Sequence, residues 1–185
     1  MVETHPPFLM VGRFFTPTQC QELITHAYTV GWKESTVLGG KTDGIRHSDV
    51  VFISGETYQN HWIRHLITTR SASISDLMGI KCAPEHIESV QISKYNEGGY
   101  YDWHTDHAAG GHYDLGHPGF DRKISLVVAL DASADGGLEL ENVGMVRLNP
   151  GDAIVFSSLS RHRAPTQNEG VRHSMAIWIP GPRWT

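Results

Sequence analysis

His104 and Asp106 lie two residues apart in the stretch YYDWHTDHAAGG, residues 100–111. On a strand, positions i and i+2 face the same side, so an imidazole and a carboxylate at this spacing can point together while Thr105 points away. The pair reads equally as a solvated turn or as two ligands of a metal ion, and a metal needs a further donor from elsewhere. The chain has 12 histidines, so position must select that donor. In LNPGDAIVFSSLSRHRAP, residues 148–165, a turn at 149–152 precedes a short apolar strand, and His162 follows at its polar end. Two imidazoles and one carboxylate on one face of a metal leave the opposite face open for further ligands. That donor set suits iron(II) and also zinc. His107, three residues after His104, faces the wrong way on a strand and is read as a flanking residue.

Arg172 stands ten positions after His162, at the start of the stretch RHSMAIW. A buried guanidinium there pairs a carboxylate through two parallel hydrogen bonds, and the distal carboxylate of 2-oxoglutarate is its natural partner. The plain alternative is a surface ion pair.

These residues need a scaffold to bring them together. The 185 residues are enough for one domain of ordinary size, and 39% apolar with 19% charged residues predicts a packed core. A net charge of −5 argues against a nucleic-acid partner. Cys20 and Cys82 are too few for a disulfide framework and suit a reducing, cytoplasmic setting; no secretory leader or membrane span is recognised. Thr16, Pro17 and Gln19 mark a helix start, with Leu23, Ile24, Ala27 and Val30 at helical spacing and Gly31 closing it. A second helix over 57–79 is predicted to gather Trp62, Leu66, Ile74, Leu77 and Met78 on one side. IRHSDVVFI, 45–53, reads as one strand, and after residue 86 short strand-like segments alternate with Gly, Pro, Asn and Asp. The expected fold is α+β. A double-stranded β-helix, or jelly roll, forms the core over about 86–180, and helices from about 1–85 pack on one sheet. The whole, 1–185, is read as one domain.

His104-x-Asp106, then His162, then Arg172 resembles the Fe(II)/2-oxoglutarate-dependent dioxygenases, in their prolyl 4-hydroxylase-like branch. The segment from Tyr95 through Gly98 and Tyr101 to His104 and Asp106, the Arg46-x-Ser48 strand, the DGGLELEN strand and the LNPGDA turn are similar to that branch in the same order. The resemblance implies iron(II) on His104, Asp106 and His162, the C5 carboxylate of 2-oxoglutarate on Arg172, and dioxygen as oxidant, with ascorbate as a supporting reductant. Tyr95 and Tyr101 would line the co-substrate pocket, and Leu126 and Val128 would form its floor. Trp178, Arg122 and Arg161 are the candidate substrate contacts. The plainer readings are packing for Trp178, a solvated strand start for Arg122 with Lys123, and a flanking position for Arg161. Arg46 and Ser48 lean to structure. The segment 108–121 reads as a substrate lid whose His112 and His117 are more simply solvated.

The expected activity is hydroxylation of a C–H bond, with a prolyl residue in a peptide or protein as target. A free amino acid or small metabolite is the alternative. A non-catalytic ligand-binding jelly roll and a zinc hydrolase are the other classes weighed. The hydrolase would need a general-base glutamate, and none is suitably placed. Substrate identity and oligomeric state are left open by the sequence.

Overall fold

Thr16 caps the first helix, α1 (Pro17–Val30): its hydroxyl accepts from the Gln19 N–H, and the Gln19 side chain accepts from the Thr16 N–H. Gly31 closes α1 through its N–H to the Ala27 carbonyl. The computed structural model describes residues 5–36, 44–54, 61–87, 89–107, 119–133 and 137–184. The second helix, α2 (His61–Met78), buries Ile63, Ile67, Ser71, Ile74 and Met78, a stripe at intervals of three and four. This shifts the expected face: Trp62 and Leu66 sit half-buried at its edge and Leu77 is exposed. The pattern alone fits either stripe, and packing selects the one that meets the sheet.

Twelve strands are described: β1 (Phe8–Val11), β2 (Lys33–Glu34), β3 (Arg46–His47), β4 (Asp49–Ile53), β5 (Val90–Tyr95), β6 (Tyr100–His104), β7 (Phe120–Ala129), β8 (Leu138–Leu140), β9 (Gly144–Val146), β10 (Ala153–Ser157), β11 (His162–Ala164) and β12 (Arg172–Pro182). They form two antiparallel sheets, one of seven strands in the order β1-β10-β7-β12-β5-β4-β2 and one of five in the order β3-β6-β11-β8-β9. IRHSDVVFI is therefore two strands, not one. β3 belongs to the small sheet and β4 to the large, and Ser48 is the corner between them. The expected division at residue 85 also shifts, because β1 to β4 join the sheets from the N-terminal part.

The large sheet has two unlike faces. Val51, Ile53, Ile92, Leu126, Val128, Met175, Ile177 and Ile179 pack with Leu23, Ala27, Ile63, Ile67 and Ile74 of the helices in one apolar core. Each such side chain stabilises the fold by about 1.5–3 kcal/mol when fully buried. The alternate positions, Gln91, Ser93 and Tyr95 on β5 and Arg172, Ser174, Ala176 and Trp178 on β12, face a cavity instead. At one end Leu138 and Leu140 of the small sheet close onto Ile154 and Phe156 of the large one.

The Pro150-Gly151 turn fastens α1 to this frame. Gly151 has φ +86, and a Cβ there would lie 2.2 Å from the Phe15 carbonyl oxygen. Its own carbonyl accepts from the Phe15 N–H at 3.0 Å and its N–H donates to Ala129 at 2.7 Å. Gly151→Ala is therefore expected to destabilise by about 2–4 kcal/mol, against about 1 kcal/mol for Thr16→Ala. Urea unfolding of both variants checks the ranking, and equal losses would contradict it.

Candidate metal centre and the cavity around it

His104 ends β6, His162 begins β11, and the two are direct partners across the antiparallel ladder, with ring centres 4.2 Å apart. Asp106 does not continue β6. It lies on the bend that follows, where the N–H groups of Asp106 and His107 both donate to the Ser158 carbonyl, at 3.1 and 3.0 Å. Strand alternation is thus not what joins the pair, and Thr105 and His107 are themselves among the residues that line the cavity. His104 Nε2 stands 3.7 Å from Asp106 Oδ1, and His162 Nε2 stands 3.6 Å from Oδ2.

The second nitrogen of each ring settles what the first can do. His104 Nδ1 lies 2.8 Å from the Asp102 carbonyl, and His162 Nδ1 lies 3.0 Å from the Ser160 carbonyl. A carbonyl only accepts, so each Nδ1 carries a proton, and each Nε2 is the ring nitrogen left facing Asp106. One ligand atom from each of the three residues lies within 4.8 Å of the others. This donor set fits a divalent ion with an open coordination face.

Burial, then the neighbouring His162, pushes the His104 pKa down to about 4. Its ring is accordingly neutral at ordinary pH, as a metal ligand must be. Burial works to raise the Asp106 pKa, but His162, His104, the Ser125 hydroxyl and Arg122 outweigh it and hold the carboxyl below the usual range. Tyr101 stacks on His104 with ring centres 3.5 Å apart, and the Arg46 guanidinium lies 4.6 Å from the centre of the Tyr101 ring. Phe156 packs edge-on against His162 at 4.6 Å.

The three residues line a cavity of about 510 Å³ between the two sheets. Arg172, Tyr95, Tyr101, Trp178 and Arg122 line it as well. Arg172 is buried, pairs across the ladder with Tyr95, holds its guanidinium 4.4 Å from the centre of that ring and donates to the Gly137 carbonyl at 3.1 Å. Arg122 lies 3.8 Å from the centre of the Trp178 ring. It is not a solvated strand start, nor is Lys123: both are buried, and Lys123 Nζ sits 3.3 Å from the centre of the Trp184 ring.

Two other expectations fail. Leu126 and Val128 belong to the helix-facing core, and Val127 and Ala129 line the cavity. Residues 126–129 of β7 are apolar on both faces, and Ser125, in step with Val127 and Ala129, is the polar residue that marks the cavity side. Arg161 is absent from the cavity wall; it is half-exposed and held by Glu141 at 2.6 Å. Gln91 and Ser93 also line the cavity, although no motif marks them. Nor does any motif mark the partly buried pair of His173 Nδ1 with Asp131 Oδ2 at 2.6 Å. Polar residues at alternate positions of an otherwise apolar strand were the available signal. His112, His117 and residues 108–118 of the expected lid lie outside the described residues, and Phe120 and Asp121 already belong to β7. Both cysteines are free, and burial raises both thiols to about 11, which leaves them unreactive.

The 2OG-Fe(II) oxygenase superfamily profile matches residues 90–180, which contain the triad and Arg172. A PKHD-type hydroxylase of Acidovorax ebreus is 24% identical over 183 residues, covering 92% of this chain and 77% of that relative. Further PKHD-type hydroxylases are matched over only 44% of their own length. The fold is similar to the viral collagen prolyl hydroxylase of Paramecium bursaria Chlorella virus-1 in its 2OG complex, with a TM-score of 0.72, 19% identity, and 95% of this chain and 97% of that one covered. It is also similar to a prolyl hydroxylase from Trichoplax adhaerens in complex with a hypoxia inducible factor peptide fragment, with a TM-score of 0.70, 17% identity, and 94% and 83% covered.

The His104 shift has a sign that can be measured. Its folded pKa lies below the unfolded value near 6.5, so the stability that depends on a neutral ring is present above that pH and drains away as pH falls toward 4. The metal-free chain should show a urea midpoint that drops across this window, and His104→Asn should flatten the drop. An unchanged profile in the variant would assign the slope to other groups.

Proposed function

We propose that this chain, which belongs to the 2OG-Fe(II) oxygenase superfamily in its prolyl 4-hydroxylase-like branch and is a 2-oxoglutarate-dependent dioxygenase, hydroxylates a prolyl residue in a peptide or protein. The observation that carries the reading is the convergence of His104, Asp106, His162 and Arg172 on one cavity. The two sheets are read as a jelly roll, the helices as its outer support, and the chain as one domain. Two free cysteines fit a reducing, cytoplasmic setting.

His104, Asp106 and His162 would hold iron(II). The chemistry that ion supplies is oxidative decarboxylation of 2-oxoglutarate with dioxygen, coupled to hydroxylation of a C–H bond. The chain's own residues bind and orient. Nδ1–H bonds to local carbonyls keep both imidazoles aimed. The Arg172 guanidinium grips the C5 carboxylate of 2-oxoglutarate, with the Tyr95 ring against it. Tyr101 braces His104 through ring stacking. Trp178 and Arg122 together form a wall against which substrate is positioned, and the two sheets exclude water from the reacting atoms. The similarity to a prolyl hydroxylase seen with a peptide supports a peptide substrate. A free amino acid or small metabolite is the second reading, favoured by a cavity of about 510 Å³, a size that encloses a small molecule.

Iron-dependent release of succinate from 2-oxoglutarate, measured against proline-containing peptides and free amino acids, tests the activity and separates the two substrate classes. His162→Ala should lower turnover at least 100-fold and weaken iron binding together. Arg172→Ala should raise the KM for 2-oxoglutarate on the order of 100-fold, because it leaves a carboxylate without its buried partner. Wild-type turnover in either variant would count against the assignment.

A further inference from the structure

Arg46 opens β3 and is buried, yet its partners among the described residues are all neutral. Its Nε donates to Ser48 Oγ at 2.8 Å, its Nη2 donates to Ser93 Oγ at 3.1 Å, and its guanidinium lies against the Tyr101 ring. Among the described residues no carboxylate comes within ion-pair distance of it. By contrast, exposed Arg161 and half-buried Arg163 each hold a glutamate at 2.6 Å. The positions that could carry a counter-charge are occupied by hydroxyls and an amide: Ser93 also accepts from Gln91 Nε2 at 2.8 Å, and Ser48 donates to Ser35 at 3.1 Å.

Burying a cation without an anion costs several kcal/mol. If the role were only to tie the sheets together, a neutral amide would make the same two bonds without that cost. Arg46 itself lines the cavity wall, as do Arg122 and Arg172. One aromatic ring, Tyr101, separates Arg46 from His104, so a group held by Arg46 stands beside the reaction centre. On the same wall Ile45 and Phe52 are apolar and exposed, at 44% and 57%.

We propose that Arg46 is a second carboxylate anchor, and that the substrate presents a carboxylate to it while an apolar body rests on Ile45 and Phe52. The inference builds on the oxygenase reading and narrows its substrate class. The carboxylate belongs either to a free acid, such as an amino acid derivative or a peptide C-terminus, or to an acidic side chain beside the target residue.

Matched probes that differ only in this group test it. The full chain, loaded with manganese(II) and 2-oxoglutarate, is titrated with N-acetyl amino acids of all side-chain classes and with their primary amides, and binding is read by ligand-detected NMR. A parallel arm uses acetylated, amidated peptides carrying aspartate or asparagine next to proline. At least one acid is expected to bind ten-fold or more tightly than its amide, and Arg46→Gln should erase the difference. Arg46→Lys should keep part of it by retaining charge without the fork. The arm that shows the preference identifies the source of the carboxylate. No acid–amide preference in either arm with the wild-type chain overturns the proposal even if Arg46→Gln does not fold, and so does a preference that survives Arg46→Gln. The underlying oxygenase reading fails in a different way, by the absence of iron-dependent succinate release from the wild-type chain under any probe.

Discussion

The ladder between β6 and β11 is the constraint on which the rest depends. It sets His104 opposite His162, and the Ser158 carbonyl, one turn before β11, accepts the N–H groups that hold Asp106 on the bend after β6. Three ligands from two distant segments are thereby fixed by backbone hydrogen bonds, not by side-chain contacts alone. Ring nitrogens bonded to Asp102 and Ser160 then fix the tautomers from within the same two segments. A shift of one residue in this register would turn His162 away from the site, so the pairing and the donor set stand or fall together.

The large sheet solves a second problem. A polar, charge-bearing cavity and a helix-covered apolar core are built on opposite faces of the same strands. On β12 the alternation of Arg172, Ser174, Ala176 and Trp178 with Met175, Ile177 and Ile179 achieves this directly. The cost falls on residues such as Arg172 and Arg46, which must be buried with their charge. Ring faces, carbonyls and hydroxyls support them there.

Much of this was legible in the sequence where the signal was local. The capping residues Thr16 and Gln19 fixed the start of α1, and the ordered run of His104, Asp106, His162 and Arg172 marked the site before any fold was known. What was not legible depended on which of two equivalent faces packs inward. Leu126 and Val127 look alike to a periodicity argument, and Ile63 competes evenly with Trp62 for the buried side of α2. Ser48 gives no local sign that the chain changes sheets there. Arg122, at the start of a strand, and Arg161, beside His162, are both candidate substrate contacts by sequence, and nothing local tells them apart. Only the packing of Trp178 draws one inside, while Glu141 holds the other at the surface.

The preset tautomers of His104 and His162 carry a consequence for how the centre is filled. Each Nδ1 proton is already committed to a backbone carbonyl, the His104 ring is held neutral and the Asp106 carboxyl is held below the usual range, so neither His104 nor Asp106 has a proton to give up to an arriving divalent ion near neutrality. Nitrogen and oxygen donors of this kind follow the Irving–Williams order, in which ferrous ion ranks low, so the donor set alone does not select iron over its competitors, and supply would decide which ion fills it.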